Sequence, residues 1–168
     1  LKAEDFKYSI ERACDPALKS SVAGGYLDDI VAVKEMIAGT AKDIPGVKVI
    51  DDYTLEVTLK TPQAVFPALL SMSMNAIIPK QETLAAGAEW GSTVVIGTGP
   101  FKFVEWAAGE RAVYERNADY FKTPPYIERI ELYLNLEPAV QMLRWENGEV
   151  EWLDSIPSAE LPRLLSDE

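Results

Sequence analysis

A few residues in this chain have side chains able to act on another molecule: paired acids, one thiol, a glycine cluster and an acid that closes a strand-like run. Histidine, the commonest general base and metal ligand, is absent from the 168 residues. Cys14 therefore has no imidazole to activate it, and as the single cysteine it has no internal disulfide partner. Its apolar neighbours on a predicted helix make it a buried, inert thiol rather than a nucleophile. Asp28-Asp29 and Asp51-Asp52 have the charge for a carboxylate dyad or a cation site, but neither carries the spaced oxygen ligands of a calcium loop. The first pair reads as the exposed side of a helix and the second as a turn. Gly97-Thr98-Gly99 lacks the Gly-Lys-Ser/Thr ending of a phosphate loop and leads into a strand, where a helix N-terminus is needed. It reads as a hinge or crossover. No metal ligand set and no cofactor is expected.

Other side chains suit contact rather than catalysis. Met72 and Met74 lie two apart between a predicted helix and strand, so one can face the core and the other a cavity. Methionine adapts its shape to varied partners. Trp106, Trp145 and Trp152 each fall in a periodic apolar pattern, for which burial is the expectation. Asp154 ends a predicted central strand and points where open α/β sheets place their ligand cleft. Its competing reading is a helix cap ahead of Pro157.

These residues need elements to hold them. Phe6, Ile10 and Ala13 have amphipathic helical spacing over 3–14, stopped by Asp15-Pro16. Leu27, Ile30, Val31 and Ile37 predict a helix over 26–38, with Lys34 out of place on its stripe and Gly39 as its stop. Val47 and Val49, then Leu55, Val57 and Leu59, alternate with polar residues and predict a hairpin turned at Asp51-Asp52. Short helices are expected over 66–71 and 81–86, around the apolar run Ala76-Ile77-Ile78. The breaker cluster Gly97-Thr98-Gly99-Pro100 is the expected lobe boundary. Beyond it, strands over 101–106 and 112–115 flank Ala107-Ala108-Gly109. A strand over 127–134, a helix opening at Glu137-Pro138 and ending at Asn147-Gly148, and a strand over 150–153 then read as a right-handed βαβ unit with parallel strands.

Composition bounds the function. A chain 48% hydrophobic and 26% charged has the makeup of a globular protein with a normal core. The net charge of -11 repels phosphate backbones, so no nucleic-acid partner is expected. Its main consequence is solubility, with attraction of cationic ligands as the lesser reading. No stretch approaches the ~20 apolar residues that span a bilayer, so no membrane insertion is expected. Both ends, starting at Leu1 almost directly in a helix and finishing on a helical pattern, read as cut from something longer.

Five segments, in order, carry a resemblance. Leu1 to Arg12 is similar to a helix that follows a first hairpin; Asp51-Asp52-Tyr53-Thr54-Leu55-Glu56-Val57 to a signature strand; Ile78-Pro79-Lys80 to the next landmark. Gly97 to Lys102 and Glu115 to Phe121 are similar to the two most recognisable segments. Together they resemble the extracellular solute-binding proteins of family 5, the peptide- and nickel-type substrate-binding components of ABC importers. Lys2 stands where the family often has threonine, which removes a helix cap, and Ala118 replaces a usual proline, which loosens a turn.

The resemblance implies a mixed α/β fold, a fragment of a type II periplasmic-binding-protein lobe. Residues 1–96 would be a peripheral α+β subdomain, N-terminally truncated. Residues 97–168 would be part of the first ligand-binding lobe and hold the βαβ unit, with the second lobe absent. It implies ligand contacts near Tyr26, Met72, Asp154 and Ser155. It further implies a peptide or small-molecule solute, a membrane permease as partner, and a periplasmic or extracellular location, with lipid anchoring of the full-length protein left open. The expected function is capture of solute by closure of two lobes, without enzymatic activity. Two alternatives compete: a hydrolase using two carboxylates, as in glycosidases, and an interaction domain whose solute site has decayed.

Overall fold

The first helix, α1 (Ala3–Ala13), buries Ala3 and Ile10, and Cys14 at its C-cap is 1% exposed. The Lys2 side chain offers α1 no capping hydrogen bond, as expected. Asp5 supplies what is missing: the Lys2 backbone N–H donates to its Oδ2 at 2.7 Å, and the Lys80 N–H to its Oδ1 at 2.9 Å. Those two donors, Lys80 first, hold the Asp5 carboxyl below the usual aspartate range. The computed structural model describes residues 1–166, except the side chain of Met74. The chain divides into two compact units, Leu1–Gly97 and Thr98–Glu168.

In the first unit, the single helix expected over 26–38 is not formed. α2 (Ala23–Tyr26) ends where that helix was to begin and α3 (Val33–Ile37) covers only its later part, with Ala32 between them at φ 70°. The cause is tertiary. The Val31 N–H donates to the Thr58 carbonyl at 3.0 Å, the Lys60 N–H donates to the Asp29 carbonyl at 2.8 Å, and Ile30 bridges Leu59. Backbone groups that a helix would pair internally are given to the neighbouring strand. Leu27, Ile30 and Val33 stay buried all the same. Asp28, expected on an exposed helix face, sits in this turn and pairs with Lys34 at 3.0 Å and Lys60 at 3.3 Å.

The hairpin forms as its alternation requires. β1 (Val47–Asp51) pairs antiparallel with β2 (Thr54–Val57), with Val47 opposite Val57. The Asp51 carboxylate accepts the Tyr53 N–H at 2.8 Å, so this acidic pair is a turn. Ile10, Cys14, Leu27, Ile30, Val33, Ile44, Val47 and Phe66 close the core. α4 (Phe66–Leu70) and α5 (Lys80–Ala86) border it; the run 76–78 between them is not a strand, and the Ile78 N–H bonds Ser9 Oγ at 3.0 Å instead.

The second unit is a meander of β3 (Phe101–Ala107), β4 (Arg111–Arg116) and β5 (Arg129–Tyr133), followed by α6 (Pro138–Glu146) and α7 (Leu161–Ser166). A bulge between Phe103 and Glu105 shifts the register of β3. One face carries Glu105, Arg111, Glu115, Arg129 and Glu131, linked across all three strands by ion pairs. The other carries Phe103 edge-on to Tyr114, with Ile130 and Leu132. Asn117 is buried and ties two recognisable segments together: its Nδ2 donates to the Gly99 carbonyl at 3.0 Å and its Oδ1 accepts the Asp119 N–H at 3.1 Å. The turn holding Ala118 still closes, with the Tyr120 N–H on the Asn117 carbonyl at 3.2 Å.

The βαβ reading needs correction. Every ladder between the named strands is antiparallel, and 150–153, expected as a parallel strand, is irregular, with a bend at Glu151 and no backbone hydrogen bonds among the described residues. A strand exists through its ladder, and this segment has no hydrogen-bonded neighbour. The expected burial of the tryptophans also fails. Trp106 is 47%, Trp145 40% and Trp152 72% exposed.

Candidate functional site

Asp154 and Ser155 follow the irregular run 150–153 and are both exposed. The sequence places them there because α6 ends at Asn147-Gly148, with Gly148 at φ 70°, returning the chain alongside β5. Between that returning segment and β5 runs a groove of about 880 Å³, lined among others by Phe101, Tyr114, Ile130, Leu132, Trp152 and Asp154. Arg144 lies 4.4 Å over the Tyr133 ring at this edge and donates to Glu149 at 3.1 Å. Asp154 makes no hydrogen bond or ion pair among the described residues. It is not a helix cap either, since α7 begins only at Leu161. Its carboxylate is left as an available acceptor.

Tyr26 and Met72 belong to the first unit. Tyr26 ends α2 and is half-buried, while Met72 is exposed in the segment between α4 and Ser73–Asn75. Their neighbours meet: Leu27 on one side, and Leu70 and Asn75 on the other, line one small cavity of about 100 Å³ with Phe6 and Ile10. Asn75 fixes this segment by donating to the Leu69 carbonyl at 2.7 Å. The cavity wall holds no titratable group, so it can pack apolar matter but do no acid–base work. Met74, the other methionine singled out by its spacing, has its side chain outside what is described.

The groups that would have to do chemistry are otherwise engaged. Asp28 is bound by two lysines and Asp51 by backbone N–H. Glu131, on the groove wall, is paired with Arg129 at 2.8 Å and Arg111 at 3.8 Å. Burial, aided by the Glu11 carboxylate, pushes the Cys14 thiol up to about 11, so it is not a thiolate at neutral pH. Among the described residues no group of three acids or cysteines is placed to hold a metal ion, and no helix is long and apolar enough to cross a membrane. Sequence reasoning missed Asn117 as the clamp on Gly99; its signal was the pairing of a breaker cluster with an Asx-containing turn.

The whole chain, residues 1–168, matches the family described as bacterial extracellular solute-binding proteins, family 5 Middle. It is 33% identical to the periplasmic oligopeptide-binding protein OppA of Salmonella typhimurium, across all of this chain and 32% of that protein. It is 29% identical to di/tripeptide-binding protein 4 of Pseudomonas aeruginosa, across 99% of this chain and 31% of that one. A probable deoxycholate-binding periplasmic protein, YgiS of Escherichia coli, is 30% identical over 98% of this chain and 31% of its own length. Among solved structures, the Escherichia coli murein tripeptide-binding protein MppA superposes with a TM-score of 0.87 at 26% identity, over 99% of this chain and 33% of that one. The chain thus spans about a third of the length of these relatives.

Proposed function

Because the chain belongs to the bacterial extracellular solute-binding proteins, family 5, we propose that residues 1–168 furnish part of one wall of a closing solute cleft. The whole protein would capture peptides or similar small solutes outside the cytoplasmic membrane and hand them to the permease of an ABC importer. It would work free in a periplasm or held at the cell surface by a lipid. Residues 1–96 would serve as the peripheral subdomain and 97–168 as part of the ligand-binding lobe. The relatives named for oligopeptides and di/tripeptides favour peptides; the one named for deoxycholate shows that family membership alone does not set the solute.

The observation that carries this reading is Asp154: an exposed carboxylate without a protein partner among the described residues, at the mouth of an apolar-walled groove. A carboxylate left in that state accepts from a peptide's N–H groups or its ammonium terminus through charge-assisted hydrogen bonds. Ser155 adds a hydroxyl beside it. Tyr26 and Met72, in the first unit, are proposed separately as apolar contacts for a solute. No covalent step is required. A solute that binds the closed arrangement better than the open one shifts the two-lobe equilibrium by that difference in affinity, and a closed cleft presents the loaded form to the permease.

Asp154→Ala in the full-length protein tests this. Peptide binding should weaken at least tenfold, on the order of 1.4 kcal/mol, with the thermal midpoint unchanged and the peptide recovered intact. Unchanged affinity with a midpoint lowered by several degrees would make Asp154 a structural residue. Peptide cleaved by the wild type and not by the variant would favour the hydrolase.

A further inference from the structure

Charge is spread unevenly along the second unit. Residues 145–162 carry Glu146, Glu149, Glu151, Asp154 and Glu160 and no lysine or arginine. Three of these acids are neutralised by other elements: Arg163 pairs with Glu146 and Glu160, and Arg144 with Glu149 at 3.1 Å. Glu151 and Asp154 are exposed, line one groove and have no ion-pair partner among the described residues. No base in the unit is left over for them. Arg129 is divided between Glu131 at 2.8 Å and Glu115 at 3.2 Å, and Arg111 between Glu105 and Glu131. Lys102, Arg116 and Lys122 are engaged by Asp119, Glu128 and the Phe121 ring. The net charge of -11 is therefore more than a solubilising coat. Part of it is unbalanced charge at Asp154, where the solute is placed.

Two effects turn this imbalance into selection. Trp152 lies between the two acids in sequence, is 72% exposed and offers a ring face on which a cation can rest. Closure of the cleft supplies the second. While Asp154 stands in water, an ion pair with it is worth little. A solute that closes over it strips that water, and a desolvated carboxylate without a counter-charge is penalised far more heavily than an exposed pair is rewarded. A neutral or acidic solute incurs this penalty. One that brings an ammonium or guanidinium group relieves it through a charge-assisted hydrogen bond.

We infer that the cleft selects solutes bearing a positive group, an ammonium or a guanidinium, which Asp154 receives while Glu151 strengthens the local field. The inference rests on the solute-binding reading above and adds to it the sign of the solute's charge.

Calorimetry on the full-length protein tests it, with alanine tripeptides that carry a lysine, a norleucine or a glutamate at each position in turn. Norleucine keeps the apolar stem of lysine and lacks the ammonium. Each peptide is used with its amino terminus free and acetylated. In at least one position, lysine should bind about tenfold or more tighter than norleucine, with glutamate weakest. A preference that survives acetylation assigns the positive group to a side chain; one that takes the form of tenfold loss on acetylation assigns it to the terminus. In Asp154→Asn either ratio should fall to within about twofold. Equal binding of lysine and norleucine peptides, with acetylation making no difference, would overturn the inference and leave solute capture standing. A preference undiminished in Asp154→Asn would overturn it too, by moving the selection to residues outside 1–168. Binding of none of these peptides would overturn the peptide-capture reading together with it.

Discussion

Asp5 shows how one side chain can replace a missing cap. It accepts from the Lys2 and Lys80 backbones at once, joining the start of α1 to the start of α5, which lies 75 residues further along the chain. Both bonds favour the charged form, so the folded carboxyl titrates below its unfolded value of about 3.9. The stabilisation is therefore complete above that value and is lost as pH falls through the lower, folded one. Asp5→Asn should cost about 1 kcal/mol near neutral pH, discounted for partial exposure, and flatten the acid limb of stability below about pH 4. Chemical denaturation from pH 2 to 7 checks this; a variant whose curve parallels the parent throughout would remove Asp5 from the account. At this scale the sequence was partly legible. Cys14 as a buried thiol and Asp51-Asp52 as a turn could be read from their neighbours. The exposure of Trp106, Trp145 and Trp152 could not, because periodicity marks a face as apolar without saying what covers it. The candidate contacts Tyr26, Met72, Asp154 and Ser155 were nominated by resemblance and by place along the chain. The exposed Asp154 carboxylate, without a partner among the described residues, and the common cavity beside Tyr26 and Met72 are visible only in three dimensions.

At the scale of elements, local pattern sufficed where a segment's hydrogen bonds are its own. α1, the β1–β2 hairpin, the β3–β4 pair and α6 satisfy most of their backbone groups internally or with the next element in sequence, the Ala3 N–H on the Asp52 carbonyl being an exception. It failed where the partner is distant. The segment 26–38 has a helical stripe yet yields Val31 and Asp29 to residues 58–60, and the run 150–153 has a strand's composition yet no ladder. Gly46 is what allows the first of these departures. A Cβ there would stand 2.4 Å from the Val31 carbonyl oxygen and 2.9 Å from its nitrogen, both backbone atoms that cannot swing aside. Gly46→Ala should therefore destabilise the first unit by about 2–3 kcal/mol, the cost of overpacking a closed contact. Urea denaturation measures it, with Gly25→Ala as control, since a Cβ at Gly25 meets nothing within 4 Å. Equal midpoints for the two variants would contradict the close approach.

At the scale of the whole molecule, 168 residues make up about a third of the length of the relatives. A pocket that holds a small solute typically encloses most of its surface, and the surfaces here stand open. One wall leaves a solute wet on its far side while the entropic cost of association is undiminished. On the proposed function, residues 1–168 would supply part of a two-walled site and would not suffice as a binding module. Calorimetry of the full-length protein and of residues 1–168 against the same short peptide tests it most directly. The account predicts micromolar or tighter binding by the full-length protein, with residues 1–168 weaker than about 1 mM, a gap of roughly 4 kcal/mol or more. Micromolar binding by residues 1–168 alone would contradict it.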